Sequence, residues 1–201
     1  MPHETEAKYK VDTFAAVRRA LRALGAEYRW TAVQTDNYFD TPGRTLLKAG
    51  SGLRLRRVRY VRRARGRGDD RAEITFKGPV QGGRRAKVRK EVQTRLDCPE
   101  VIEEIVSCCG LAPVLVIQKR RTTYRLGRCT VELDELPMLG RFVEVEGPDE
   151  RAVHRAAAKL RLAGEPIADH YVNLLVGRCP RVGQPCLEVT FDRCTPKCPH
   201  W

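Results

Sequence analysis

Full charges recur at every second residue in segment after segment, and this alternation constrains the fold more than any other feature of the chain. Successive side chains of a β-strand point to opposite faces, so residues two apart share a face. "HETEAKYKV", residues 3–11, puts Glu4, Glu6 and Lys8 on one face. Arg54 and Arg56 alternate with Leu53 and Leu55, and Glu73, Thr75 and Lys77 with Ile74 and Phe76. Lys87, Arg89 and Glu91 stand opposite Val88 and Val92, and Arg121, Thr123 and Arg125 share a face. Glu132 and Asp134 alternate with Val131 and Leu133, and Glu144 and Glu146 with Val143 and Val145.

The ordinary explanation of one such strand is a half-solvated antiparallel sheet. Here the polar face is nearly all full charge, and the helices are too few to cover two sheets. The pattern predicts an α+β fold: a closed eight-stranded antiparallel β-barrel, apolar face outward under helices and charged face lining the lumen. A barrel of about eight strands holds one small ligand. Buried charges must be paired or bound to metal, so the lumen needs both signs. Glu4, Glu6, Glu132, Asp134, Glu144 and Glu146 form a carboxylate group that suits a hard cation, Mg²⁺ or Mn²⁺. Lys8, Arg54, Arg56, Lys77, Arg89 and Arg121 form a cationic group that suits phosphate oxygens. A triphosphate carrying a divalent metal answers both.

The remaining segments fit one domain over residues 1–176, with a Cys- and Pro-rich tail over 177–201 expected to be a flexible appendage. "DTFAAVRRALRALG" reads as a helix with Asp12 as N-cap and Gly25 as stop. "PEVIEEIVSCCG", "DERAVHRAAAKLRLAG" ending at Gly164, and "DHYVNLLVG" read as further helices. Leu187, Val189 and Phe191 suggest one short strand in the tail, and residues 63–71 a basic loop.

Composition adds limits. The 201 residues carry a net charge of +13, but 29 of the 38 basic residues are Arg, which base composition alone can produce. No apolar run of about 18 residues predicts a membrane span, and without a leader pattern the expected location is the cytoplasm. In that setting the eight Cys do not argue for disulfides. Cys194, Cys198 and His200 are a weak zinc set, because the C-x3-C spacing is loose.

At this point the residues resemble a known family. Glu4-Thr5-Glu6-Ala7-Lys8 resembles the ExExK signature of the CYTH superfamily, the triphosphate tunnel metalloenzymes. "TDNYFDTP", "GLRLR", "ITFKGP", "RKE" at 89–91, "KRRTTY" and "VELDELPMLGRFVEVEG" follow in the family's order, from residue 3 to about 176. The resemblance implies an eight-stranded tunnel acting on a triphosphate with Mg²⁺ or Mn²⁺. It assigns Glu4, Glu6, Glu132, Asp134, Glu144 and Glu146 to the metal. It assigns Lys8, Arg54, Arg56, Lys77, Arg89 and Arg121 to phosphates, and admits Glu91 and Lys119 as tunnel-lining residues. His170-Tyr171 stands where a Ser-Tyr pair is frequent, and Lys159 is the one candidate for a late phosphate-binding Lys.

Class IV adenylyl cyclases are the members most similar in "DNYFDTPGRTLLKAGSGLRLR" and "LGRFVEVEG", which implies conversion of ATP to cyclic AMP and pyrophosphate. The alternative is a triphosphatase acting on tripolyphosphate, thiamine triphosphate or a nucleoside triphosphate. A third reading, a non-catalytic polyphosphate or RNA binder, draws on "RRVRYVRRARGRG". The acidic pairs argue against nucleic acid. The expected partner is a small triphosphate molecule, with no membrane, and a homodimer is admitted.

Overall fold

The computed structural model describes residues 5–64, 69–81, 88–178, 187–192 and 194–195. Glu4, Lys87, Cys198, His200 and loop residues 65–68 lie outside them. In chain order the elements are β1 (Thr5–Val11), α1 (Ala15–Ala23), β2 (Glu27–Asp40), α2 (Thr45–Lys48), β3 (Gly52–Arg63), β4 (Arg71–Gln81) and β5 (Val88–Leu96). Then follow α3 (Pro99–Cys108), β6 (Ala112–Leu126), β7 (Cys129–Leu136), β8 (Gly140–Gly147), α4 (Glu150–Lys159), α5 (Tyr171–Arg178), β9 (Leu187–Val189) and β10 (Cys194–Thr195).

The long strands follow the order β1-β8-β7-β6-β2-β3-β4-β5, with antiparallel registers. The fold is α+β with a mostly antiparallel sheet. Its order has two ends, β1 and β5, and no pairing among the described residues joins them. The closed barrel expected from the alternation is narrowed to this sheet, because alternation fixes faces and leaves closure open. The chain forms two compact units.

The first unit comprises Met1–Val33, Tyr60–Gly68 and Lys119–Pro180. Ala7 and Tyr9 of β1, Val143 and Val145 of β8, and Val131 and Leu133 of β7 share one buried cluster. Val17 and Leu21 of α1 and Ala152, Val153, Ala156 and Ala157 of α4 complete it. The alternation therefore resolves as predicted here, with the apolar face turned to helices. Small residues bring α4 close: a Cβ on Gly147 would meet Cys129 Sγ at 3.0 Å and Val153 Cγ2 at 3.2 Å.

Two helix ends differ from expectation. Asp12 does not cap α1; Ala15 N donates to Thr13 Oγ1 at 3.2 Å instead. The helix expected to run to Gly164 stops at Lys159, with Arg161 in the left-handed region at φ 55°. Its start is as the sequence suggests, with Asp149 Oδ1 accepting from Ala152 N at 2.8 Å.

The second unit comprises Gln34–Arg59, Asp69–Gln118 and Arg181–Trp201. Phe39, Leu55 and Val106 form its core, with Leu53, Ile74, Leu96, Ile102 and Leu111 packed around them. Asp40 organises the turn after β2: its carboxylate accepts from Thr41 N at 2.7 Å, Leu46 N at 2.9 Å and Leu47 N at 3.0 Å. Burial alone would raise the Asp40 pKa, but these three donors hold it below the usual range. The β4–β5 register shifts between Lys77 and Val80, where Pro79 lacks an N–H to donate.

Part of the tail belongs to the sheet. β9 runs parallel to β6, Ile117 opposite Val189, and Val189 is fully buried. The expected strand ends before Phe191, whose N–H donates to Gln118 Oε1 at 3.1 Å. Leu187–Val189 thus joins the sheet, and α5 extends to Arg178. Among the described residues no helix is long and apolar enough to cross a membrane.

Leu21 is 1% exposed between α1 and the sheet, whereas Leu47 is 62% exposed. Urea unfolding of Leu21→Ala should show a loss of about 2–5 kcal/mol. Leu47→Ala should stay within about 0.5 kcal/mol of the parent.

Candidate active site

In the first unit the strand registers assemble a charged row. Lys8 stands opposite Glu144, Glu144 opposite Glu132 and Asp134 opposite Phe142, and Arg121 opposite Asp134. At its centre lies Arg121. Its Nε donates to Asp134 Oδ1 at 2.7 Å, and one terminal nitrogen donates to Glu144 Oε2 at 2.5 Å. It also forms ion pairs with Glu132 and with the second oxygen of Asp134. One planar guanidinium thus serves three carboxylates, as its fork of donors allows.

Two lysines flank it. Lys8 Nζ lies 3.3 Å from Glu144 Oε1 and donates to the Asp169 carbonyl at 2.9 Å. Lys119 Nζ lies 3.6 Å from Asp134 Oδ2. Lys8, Lys119, Arg121, Glu132, Asp134 and Glu144 are all buried. Three positive and three negative charges balance, which buried charges require.

Tyr171, the first residue of α5, closes over this group. Its hydroxyl donates to Asp134 Oδ2 at 3.0 Å. Lys8 Nζ lies 4.4 Å and Lys119 Nζ 5.3 Å from its ring centroid, within cation–π range. Phe142 meets the ring edge-on at 5.1 Å.

The environment drives two neighbouring acids apart. Burial would raise Asp134, but Arg121 and Lys119 overrule it and hold the carboxyl far below the usual range. Burial raises Glu132, and Arg121 does not fully offset it. Burial also raises Tyr171, reinforced by Asp134 and Glu144, so the phenol keeps its proton. Arg121 stays charged: burial opposes this, and Asp134, Glu132 and Glu144 outweigh burial.

In the second unit a separate charged group forms around Asp36. Arg56 grips Asp36 with both arms, Nε to Oδ1 at 2.6 Å and a terminal nitrogen to Oδ2 at 2.7 Å. Arg54 donates to Glu73 Oε1 and Thr75 Oγ1, each at 3.3 Å. Gln93 Nε2 donates to Glu73 Oε2 at 3.2 Å. Burial, then Asp36, pushes Tyr38 up to about 12. The Nε of Arg54 is buried without an acceptor among the described residues.

The sequence-predicted residues divide accordingly. Lys8, Lys119, Arg121, Glu132, Asp134 and Glu144 meet in the first unit, and Arg54 and Arg56 in the second. Lys77 and Glu91 pair at 3.0 Å, Lys77 half-buried and Glu91 exposed. Arg89 stands opposite Val80 beyond the bulge. Glu6 is exposed and opposite Glu146 in register. Glu4, Cys198 and His200 lie outside the described residues, and Cys194 is placed only by its strand.

Sequence reasoning missed Asp36 and the role of Tyr171. Asp36 had a signal in "VQTDNYFD", where Gln34, Asp36 and Tyr38 fall two apart. The partner of Tyr171 had none, since Asp134 is 37 residues away.

Among the described residues no three Asp, Glu, His or Cys side chains converge as a metal cluster; Arg121 lies between Glu132, Asp134 and Glu144. The donor chemistry still fits a hard divalent cation. These carboxylates offer only oxygen donors, and Glu6 faces Glu146 where like charges oppose each other without gain.

Fold and face together define the class, an antiparallel α+β protein with a buried, charge-balanced sheet face. The chain belongs to the CYTH family: the CYTH domain model matches residues 2–169. It is 27% identical over 143 residues to a Methanocaldococcus jannaschii protein named "Putative adenylate cyclase", covering 71% of this chain and 75% of that one. Among solved structures, a Pyrococcus horikoshii protein aligns with TM-score 0.68 and 26% identity, over 88% of this chain and 99% of its own. A Hippeastrum protein, described as a "Putative adenylyl cyclase" that "reveals a dominant" triphosphatase activity, aligns with TM-score 0.65 and 16% identity, over 88% and 96%.

Removing the Asp134 charge leaves three buried cations with two buried carboxylates, so Asp134→Asn should cost about 3–5 kcal/mol. Glu132→Gln should cost roughly 1 kcal/mol or less, because burial already disfavours that charge. Urea titrations at pH 7 check the order. A depressed folded pKa means that stability from Asp134 is full above the unfolded value, about 3.9. It should fade as pH drops below that value towards the folded one, and Asp134→Asn should flatten this acid limb.

Proposed function

We propose that the chain is a divalent-metal-dependent enzyme acting on a triphosphate, most closely as a class IV adenylyl cyclase that converts ATP to cyclic AMP and pyrophosphate. The observation that carries this reading is the closed exchange of charge around Arg121. A phosphate chain that takes Arg121, Lys8 or Lys119 leaves Glu132, Asp134 or Glu144 bare. A cation that takes the carboxylates frees the basic groups. A polyanion arriving with its divalent cation satisfies both sets together, whereas either alone leaves buried charge unpaired.

In this proposal Lys8, Arg54, Arg56, Lys119 and Arg121 bind phosphate oxygens. Lys77 and Arg89 are proposed as outer phosphate contacts. The unspent Nε–H of Arg54 supports its assignment, since a phosphate oxygen is the acceptor it lacks. Glu132, Asp134 and Glu144, with Glu4, Glu6 and Glu146, would hold Mg²⁺ or Mn²⁺, which supplies Lewis-acid neutralisation of phosphate charge when bound. The barrel closure expected from the sequence, the Glu91 contact and a cytoplasmic location belong to the same proposal.

The chain's own residues act by positioning and charge stabilisation. Lys8 and Arg121 orient the phosphates, and protonated Tyr171 keeps Asp134 ionised and fixed. Glu132 belongs to the carboxylates that would hold the metal, and the attacking hydroxyl gives its proton to solvent water as the new P–O bond forms. In the cyclase the ribose 3′-oxygen bonds to the α-phosphorus and pyrophosphate leaves. In a triphosphatase water attacks a terminal phosphorus and orthophosphate leaves. The name of the Methanocaldococcus relative favours the first, and the Hippeastrum protein shows that the same fold carries the second.

Product analysis with ATP and Mg²⁺ or Mn²⁺ tests the choice. Cyclic AMP with equimolar pyrophosphate is expected. Orthophosphate as the only product, or faster turnover of tripolyphosphate, would move the assignment to the triphosphatase. Glu132→Gln should lower kcat at least a hundredfold in either case, because it removes one of the carboxylates that would hold the metal.

A further inference from the structure

On β2 the two faces are separated by their partners. Thr35 Oγ1 accepts from Gln118 Nε2 at 3.2 Å, and Asn37 Nδ2 donates to Glu103 Oε1 at 2.8 Å. Asn37 and Arg57 thus turn together to α3. Gln34, Asp36 and Tyr38 fall on the other face, where Asp36 meets Arg54 and Arg56. Gln34 is only 5% exposed, yet its Oε1 is buried without a hydrogen-bond donor among the described residues. An unsatisfied buried acceptor costs about 1–3 kcal/mol. On a face where Asp36, Glu73, Thr75 and Gln93 are all engaged, this oxygen is set apart.

Fully ionised inorganic tripolyphosphate cannot answer it, because its oxygens are acceptors only. Arg54, with a terminal nitrogen 3.9 Å from Asp36 Oδ2, has the opposite need: its Nε–H lacks an acceptor among the described residues. An orphan donor and an orphan acceptor on the face of Asp36 match a ligand that is phosphate at one end and carries a hydroxyl or amino group at the other. We infer that Gln34 is a specificity-determining residue that accepts a hydrogen bond from the organic part of the substrate. It thereby selects triphosphate esters bearing a hydroxyl or amine over inorganic tripolyphosphate. The inference rests on the triphosphate reading given above and adds to it the residue that reads the organic part of the substrate.

Calorimetric titration of the full chain with a non-hydrolysable methylene analogue of ATP and with tripolyphosphate tests it. The parent should bind the analogue more tightly. Gln34→Met should weaken the analogue at least tenfold and leave tripolyphosphate within about twofold. Its melting temperature should be unchanged or higher, because a buried unsatisfied acceptor has been removed. Equal loss for both ligands, no loss for either, or a parent that binds tripolyphosphate as tightly as the analogue would overturn the role of Gln34 while leaving the triphosphate reading intact. A parent that binds neither ligand would overturn that reading and this inference with it. Should Gln34→Met unfold, the parent's own preference between the two ligands still decides.

Discussion

The contact of Arg121 with Glu132, Asp134 and Glu144 is the interaction on which the first unit depends. Four strands cannot bring three carboxylates to one buried face without a cation among them. Arg121 supplies it from β6, and Lys8 and Lys119 supply the rest from β1 and β6. A buried ion pair is often no more stabilising than an apolar replacement, while breaking one is costly. So many charges are therefore poorly explained as a device for stability. They are better explained as a set held ready for exchange with another charged partner.

The apolar side makes that set affordable. Val131, Leu133, Val143 and Val145 occupy the intervening positions and bury themselves against α1 and α4. Shifting a strand by one residue would send these side chains to the charged face and the charges into the core. The register is thus fixed from both sides at once: by burial on one face, and by ion pairing on the other. The bulge at Lys77–Val80 marks a change in this regularity, and there Lys77 is half-buried and its partner Glu91 exposed.

Much of this was legible in the sequence because a strand's period is local. Lys8, Arg54, Arg121, Asp134 and Glu144 could be assigned to charged faces from their nearest neighbours alone. What the period cannot carry is pairing at a distance. Arg121 was expected on phosphate, and its pairing with Asp134 and Glu144 depends on registers between strands. Asp36 sits in a polar stretch whose alternation is blurred by Thr35 and Asn37, both engaged on the opposite face. The strand at Leu187–Val189 is legible from its own alternation, but its parallel partner lies some 70 residues earlier, beyond the reach of a local period. Capping failed for a different reason: Asp12 and Thr13 are both good caps, and only the backbone path selects between them.

The two orphan atoms of the second unit acquire meaning against this background of pairing. Asp36, Glu73, Thr75 and Gln93 have all found partners on this face, so a donor and an acceptor left over among the described residues are set apart from it. Arg54 has partners for its terminal nitrogens and none for Nε among the described residues; Gln34 lies two positions from Asp36, which is doubly engaged. Phosphate recognition alone explains the first and leaves the second unexplained. A ligand carrying both functions explains them together, and that joint explanation separates an organic triphosphate from a bare polyphosphate more sharply than the charged rows, which either would fit.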